Sequence, residues 1–233
     1  MLPRDRLIVA LDVPNTDEAR SLIGKLGDSA GVYKIGLELL FAGGFGLAQE
    51  LTDHGHRVFV DAKLLDIEAT VERATATIAR MGVAFLTVHA TDHKTLAAAV
   101  RGRGDSTLKL LGVTVLTNLT PVDLIEQCCD HPLQELVLHR AKLAKEAGLD
   151  GVVASGQEAA QIRDAAGPGF VIVTPGIRPR GSETQDQARA VTPRSAIEAG
   201  ADYLVVGRPI TRAADPRAAA DAIVAEIAEA LAG

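Results

Sequence analysis

The sequence predicts a (β/α)8 TIM barrel, and three observations carry that prediction. Short apolar, β-branched runs alternate with amphipathic helical stretches along the chain. Eight such units can be laid out with no strand left over. In 233 residues each unit takes roughly 29, which is the arithmetic of this barrel. A doubly wound open sheet shares the alternation, because periodicity does not show closure, but eight strands with none left over favour the barrel. No linker, low-complexity tract or further repeat divides the chain, so residues 1–233 read as one barrel domain.

The units follow in order. The first predicted strand is Leu7 to Leu11, ended by Asp12. Thr16 fits a helix N-cap, with Asp17 and Glu18 in the first turn where the dipole favours acids. Ala19, Leu22, Ile23 and Leu26 make one apolar stripe, and Gly27 supplies the stop. The second strand spans Val32 to Ile35, with Lys34 near its end, and a helix around Gly44 to His54 follows. The third strand runs from Arg57 to Asp61, behind the Gly55-His56 break. Its helix, from about Asp66 to Arg80, aligns Ile67, Val71, Ala74 and Ile78. Phe85 to His89 is the fourth strand, before a helix carrying Leu96 and Val100. Leu108 to Leu116 is the fifth, before a helix near Pro132 to Ala147. Gly151 to Ala154, Phe170 to Val173 and Tyr203 to Val206 complete the set. Pro193 behind Thr192 and Pro216 behind Asp215 each match Pro at the first helical position after a cap, so the last two helices begin there. The Ala-rich tail, Ala218 to Leu231, reads as an amphipathic closing helix.

Composition narrows the function classes. Apolar residues make up 47% and charged residues 23%, as in an ordinary globular protein. Aromatics are 3% with no Trp, so the expected core is aliphatic. A net charge of −6 argues against a nucleic-acid binder while leaving room for a local basic anion pocket. The only cysteines, Cys128 and Cys129, are adjacent, which offers neither a disulfide framework nor metal-ligand spacing, and they read as reduced intracellular thiols. The run Leu7 to Leu11 is too short for a signal peptide, and no stretch approaches the ~20 apolar residues of a membrane span. The expectation is a cytoplasmic protein with no membrane partner.

Barrel enzymes place their chemistry at the C-terminal strand ends. Read in order, those ends carry Asp12, Lys34, then Asp61, Lys63 and Asp66, then His89, Thr117, Ser155, Arg178 and Arg208. Acid and base alternate across three successive strands, and the third supplies three charges within six residues. A lysine flanked by carboxylates keeps its proton, which suits delivery of a proton to carbon rather than Schiff-base chemistry. The non-catalytic alternative is an ion-pair network closing the barrel mouth. After the seventh strand comes Pro175-Gly-Ile-Arg-Pro-Arg-Gly-Ser-Glu-Thr-Gln-Asp-Gln-Ala-Arg189, and after the eighth Gly207-Arg208. Barrels commonly hold phosphate in these two loops, with arginines pairing its oxygens and glycine admitting it to backbone N–H groups. The long polar loop between suits a lid.

Other features carry less. His89 reads as a hydrogen-bonded structural histidine, and His54, His56, His131 and His139 show no metal spacing. Gly43-Gly44-Phe45-Gly46 lacks the Lys-Ser/Thr of a P-loop, and Ser155 lacks a nucleophile elbow.

Asp61-Ala-Lys-Leu-Leu-Asp-Ile67 resembles the D-x-K-x-x-D-I signature of the orotidine 5′-phosphate decarboxylases. Leu11-Asp12, Lys34-Ile-Gly36, Val113-Thr-Val-Leu-Thr117, Thr174-Pro-Gly-Ile-Arg178, Asp186-Gln187 and Val206-Gly-Arg208 fall in that family's order, so the resemblance spans nearly the whole chain and is closest to the bacterial branch. It implies decarboxylation of orotidine 5′-phosphate (OMP) to uridine 5′-phosphate (UMP) in de novo pyrimidine synthesis, without metal or other cofactor. Lys63 would protonate C6 and Asp61 would lie beside the departing carboxylate. Lys34 would hold Asp61 and the ribose hydroxyls, and Asp12 the ribose. Thr117 would meet the pyrimidine amide edge, Gln187 would bridge base and phosphate, and Arg178, Gly207 and Arg208 would hold the phosphate. Asp66, Ile67 and Thr70 resemble the segment lent to a neighbouring subunit's site, which implies a homodimer with shared active sites. The nearest alternative is a magnesium-dependent sugar-phosphate lyase or decarboxylase of the same superfamily; those resemble one another in carrying Glu where this chain has Lys34. A non-catalytic phosphate-ligand binder is a further alternative, disfavoured by the intact charged set.

Overall fold

The computed structural model describes residues 1–179 and 191–232. Eight parallel strands close into a barrel in chain order: β1 (Leu7–Ala10), β2 (Val32–Gly36), β3 (Val58–Leu64), β4 (Phe85–His89), β5 (Lys109–Val113), β6 (Gly151–Val153), β7 (Val171–Thr174) and β8 (Tyr203–Val206). The ring closes through β1 and β8, with Leu7 opposite Leu204 and Val9 opposite Val206. The open-sheet alternative is therefore set aside. The outer helices are α1 (Thr16–Leu26), α2 (Phe45–Asp53), α3 (Glu68–Arg80), α4 (His93–Arg103), α5 (Leu133–Glu146), α6 (Ala159–Ala166), α7 (Pro193–Glu198) and α8 (Pro216–Ala232).

Period-two alternation sorts the strand residues into two cores. Outward-facing Leu7, Val9, Tyr33, Ile35, Val58, Val60, Leu86, Val88 and Ile172 pack against the apolar helix faces in one large cluster. Inward-facing Ile8, Ala10, Val32, Phe59, Phe85, Leu111, Val173, Tyr203 and Val205 fill the barrel. The expectation of an aliphatic core fails in both clusters: Tyr33 and Phe170 are buried in the outer one, and three aromatic rings lie inside the barrel. Phe85 packs edge-on to Phe59 and Tyr203, with centroids 5.8 and 5.2 Å apart. The Arg57 guanidinium lies 5.6 Å from the Phe85 and Tyr203 rings and donates to the Tyr203 hydroxyl at 3.1 Å. Three of the seven Phe and Tyr residues thus fill the barrel interior.

Several boundaries move for local reasons. The cap of α1 is Asn15 rather than Thr16: its Oδ1 accepts from Glu18 N at 2.9 Å, and Glu18 Oε1 accepts from its Nδ2 at 2.8 Å. β5 ends at Val113, short of Leu116, because a turn intervenes in which Leu119 N donates to Leu116 O at 3.0 Å. β3 extends to Leu64, beyond the expected Asp61, by way of an irregularity: Val60 pairs with Leu86 and Leu64 with Val88, so β3 spends four steps where β4 spends two. Short helical pieces at Leu37–Leu39, Leu40–Gly44, Pro121–Glu126 and Arg208–Thr211 lie in the βα connections and were not evident from periodicity. Pro193 and Pro216 open α7 and α8 as their spacing behind a cap predicts.

Candidate active site

The alternation that fills the barrel also aims its rim. Continuing each inward row past the core gives Asp12 after Ala10, Lys34 after Val32, Asp61 and Lys63 after Phe59, Val113, Val115 and Thr117 after Leu111, Pro175 after Val173 and Gly207 after Val205. All of these residues line one cavity of about 450 Å³ at the C-terminal mouth, in the size range of small-molecule sites. Arg178, Arg208, Glu38, Asn118 and Arg212 complete its upper wall. The floor is apolar: Ala10, Phe59, Val113, Val153 and Val205.

At one side four charges form a chain. Lys34 Nζ lies 3.1 Å from Asp12 Oδ1 and 3.4 Å from Asp61 Oδ2, and Lys63 Nζ lies 2.7 Å from the same Asp61 oxygen. Burial alone would push the Lys34 pKa down, but the facing Asp61 and Asp12 carboxylates more than offset it and hold the pKa above its ordinary value. Burial likewise disfavours the Asp61 anion, yet Lys34 and Lys63 and the bonds from Lys63 and Thr87 keep its pKa low. The pair is thus ionised despite being almost enclosed. Gly36 makes space for it: a Cβ there would come within 3.0 Å of Lys34 Nζ and 3.3 Å of Asp12 Oδ1.

Asp61 and Lys63 sit inside the irregular part of β3, and Lys63 has φ +49, a left-handed conformation rare for a residue with a side chain. Strain of this kind costs about 1–3 kcal/mol and persists where the surroundings enforce it. Here Lys63 N donates to Thr87 Oγ1 at 2.9 Å, and Leu64 rejoins the ladder at Val88.

Next to the charge chain, where β8 pairs with β1, come the residues expected to hold phosphate. Arg178 is buried, and its backbone N donates to Val191 O at 2.9 Å, tying the two ends of the loop after β7 together. Among the described residues, a Cβ on Gly207 would meet Ala10 Cβ and Asp12 Oδ2, both at 3.6 Å.

The structure does not bring every expected residue together. Asp66 was expected to emerge with Asp61 and Lys63, but it is exposed outside the cavity, its Oδ1 accepting from Ile67 N at 2.6 Å. Ile67 is 73% exposed, and Thr70 is half-buried in the first turn of α3. Gln187, with the lid expected between Gly181 and Asp186, lies outside the described residues. His89 is off the cavity, and burial, with Lys63 and Arg140 nearby, holds its pKa below the usual histidine value. Glu38, Asn118, Arg212 and Thr87 were missed. The first three are polar loop residues with no local signal, while Thr87 could have been found by extending the inward row from Phe85 into a buried polar position.

Among the described residues no group of three or more His, Cys, Asp or Glu could hold a metal ion. The Lys34 ammonium, moreover, sits between Asp12 and Asp61, the two carboxylates a cation would need.

Residues 5–223 match the model of the orotidine 5′-phosphate decarboxylase / HUMPS family. The chain is 56% identical over 231 residues to orotidine 5′-phosphate decarboxylase of Methylobacterium nodulans, covering 98% of each chain. It is 53% identical over 227 residues to the protein of the same name from Rhodopseudomonas palustris, covering 97% of this chain and 96% of the other. The crystal structure of orotidine 5′-phosphate decarboxylase from Lactobacillus acidophilus superposes with a TM-score of 0.84 at 40% identity, covering 95% and 98% of the two chains.

Proposed function

The chain belongs to the orotidine 5′-phosphate decarboxylase / HUMPS family, and from that premise we propose how its residues convert OMP to UMP and carbon dioxide in de novo pyrimidine synthesis. The phosphate is held by Arg178, Arg208 and the backbone at Gly207, with Gln187 reaching it from the base. Asp12 and Lys34 take the ribose, and Thr117 the amide edge of the pyrimidine. C6 then lies over Lys63. The C6–carboxylate bond breaks, carbon dioxide leaves, and the electron pair stays on C6. The Lys63 ammonium stabilises that developing charge and delivers its proton to C6, after which solvent restores the lysine. No cofactor enters this scheme. The observation that carries it is the 2.7 Å Lys63–Asp61 pair inside a cavity that Arg178 and Arg208 also line.

The active form in this reading is a homodimer. Leu65 and Ile67, 55% and 73% exposed, flank Asp66, and Phe41 on a neighbouring loop is 89% exposed. A second copy covering this apolar face would receive Asp66, Ile67 and Thr70 beside its own cavity. Ile67→Glu should then sediment as a monomer and lose activity; a fully active Ile67→Glu monomer would refute the shared site. A nucleotide bearing both a phosphate and a carboxylate does not diffuse through bilayers, which fits a cytoplasmic enzyme, and no helix among the described residues is long and apolar enough to cross a membrane. In this reading the whole chain is one barrel domain.

The assay is loss of OMP ultraviolet absorbance with purified protein, with and without EDTA. Rapid, EDTA-insensitive formation of UMP is expected. No turnover, or turnover abolished by chelation, would move the assignment to the magnesium-dependent sugar-phosphate relatives.

A further inference from the structure

We propose that Thr87 is a positioning residue for the reaction, one hydroxyl that orients the Asp61 carboxylate and holds the bend presenting Lys63. The inference rests on Lys63 being the proton donor, as read above. Thr87 is fully buried on β4, on the inward row between Phe85 and His89. Its Oγ1 accepts from Lys63 N at 2.9 Å and donates to Asp61 Oδ1 at 2.9 Å. The two bonds fix each other's polarity: while the amide proton occupies the oxygen lone pair, the hydroxyl proton points to the carboxylate.

The consequences are specific to each oxygen of Asp61. Thr87 takes Oδ1 and leaves Oδ2 for Lys63 Nζ at 2.7 Å and Lys34 Nζ at 3.4 Å. On the backbone side, the β3–β4 ladder is interrupted between Val60 and Leu64, and the Lys63 N–H in that gap is taken by the hydroxyl. The left-handed Lys63 is thereby tied to β4 by a side chain. Valine has nearly the shape of threonine and can form neither bond, so it separates this role from packing.

The test compares Thr87→Val and Thr87→Ser with the parent, each checked by thermal unfolding and by binding of UMP. Thr87→Val should bind UMP like the parent and keep KM within about threefold, while kcat falls about 10- to 100-fold, the worth of a hydrogen bond to a charged group. Its acid limb in kcat should move to higher pH, since Asp61 loses a donor while Lys34, Lys63, Asp12 and His89 around it stay. Thr87→Ser should restore most of kcat. If the valine variant does not fold, Thr87→Cys, which keeps the size and weakens both bonds, carries the same expectation. A folded valine variant with parental kcat, or a serine variant as impaired as valine, would overturn the role while leaving the function standing. A parent that does not turn over OMP would overturn the function, and this role with it.

Discussion

Replacing Lys34 by Met removes the central charge of the network and keeps most of the stem volume. The Lys34 and Asp61 side chains are only 10% and 12% exposed, at 3.4 Å, and Asp12, 54% exposed, lies at 3.1 Å. At an effective dielectric of about 20, each such pair attracts by about 5 kcal/mol, before the several kcal/mol per ion that desolvation takes back. Breaking a buried pair typically costs about 3–5 kcal/mol. Lys63 still faces Asp61 at 2.7 Å in the variant, so the lower end, about 3 kcal/mol, is expected. For a chain of this size that is a drop in Tm of about 6–12 °C. The matched control is Arg20→Met, which breaks pairs of 2.7 Å to Glu50 and 3.0 Å to Asp17 on the surface. Exposed pairs are worth about 0–1 kcal/mol, so its Tm should fall by less than about 4 °C. The pH dependence has a definite sign. The depressed Asp61 pKa contributes stability above its unfolded value near ~3.9, lost as pH falls through the lower folded value. The raised Lys34 pKa contributes stability below its unfolded value near ~10.4, lost as pH rises through the higher folded value. The gap between parent and Lys34→Met should therefore be widest between about pH 4 and 10 and narrow on either side. Equal melting of the two proteins at pH 7 would refute the stabilising role of the network.

Lys63→Ala should lower the rate of decarboxylation by at least about 10²-fold, the usual worth of general acid catalysis, with UMP binding retained. Turnover near the parental rate would remove Lys63 from the donor role. Arg208→Ala should raise KM for OMP by about 10- to 100-fold through one lost charge-assisted phosphate contact, and an unchanged KM would count against that contact. Cys128→Gly should stabilise the fold by about 0.5–1 kcal/mol, read as a higher urea midpoint at constant m-value. Cys128 is exposed at φ +56, where the helix Pro121–Glu126 ends with Cys128 N on Ile125 O and Cys129 N on Leu124 O, both at 2.9 Å. That is the place of a Schellman glycine. A lower midpoint would show that the thiol contributes more than its backbone costs.

Much of the site was legible because charge is costly inside a barrel. Asp12, Lys34, Asp61 and Lys63 stand out at the ends of apolar runs, and the structure brings all four into one chain of contacts. What was not legible falls into two kinds. Thr87 and Gly36 look like ordinary strand residues, and the folded side chains show that one bonds Asp61 and the other clears space for Lys34. The irregularity in β3 has no glycine or proline to announce it. Asp66 stands apart within one chain: it is near Asp61 and Lys63 in sequence, but the strand ends between them and Asp66 is exposed.

In the proposed reaction an acid stands beside the proton donor, and the geometry bears on why. Asp12, Lys34, Asp61 and Lys63 carry two negative and two positive charges, so the chain of four is neutral. A substrate with a carboxylate at one end and a phosphate at the other gains little from that side as a whole, and its carboxylate is opposed by Asp61. Arg178 and Arg208, which line the same cavity, would supply the attraction instead. In the proposed reaction, phosphate binding far from C6 thus offsets an unfavourable contact at the carboxylate, a contact that disappears as carbon dioxide departs. The Lys63 attraction, by contrast, grows as charge accumulates on C6. In this reading binding and reactivity are divided between different residues of the cavity, so Arg208→Ala should act mainly on KM and Lys63→Ala mainly on kcat; if both variants lost kcat and KM in the same proportion, this division would be wrong.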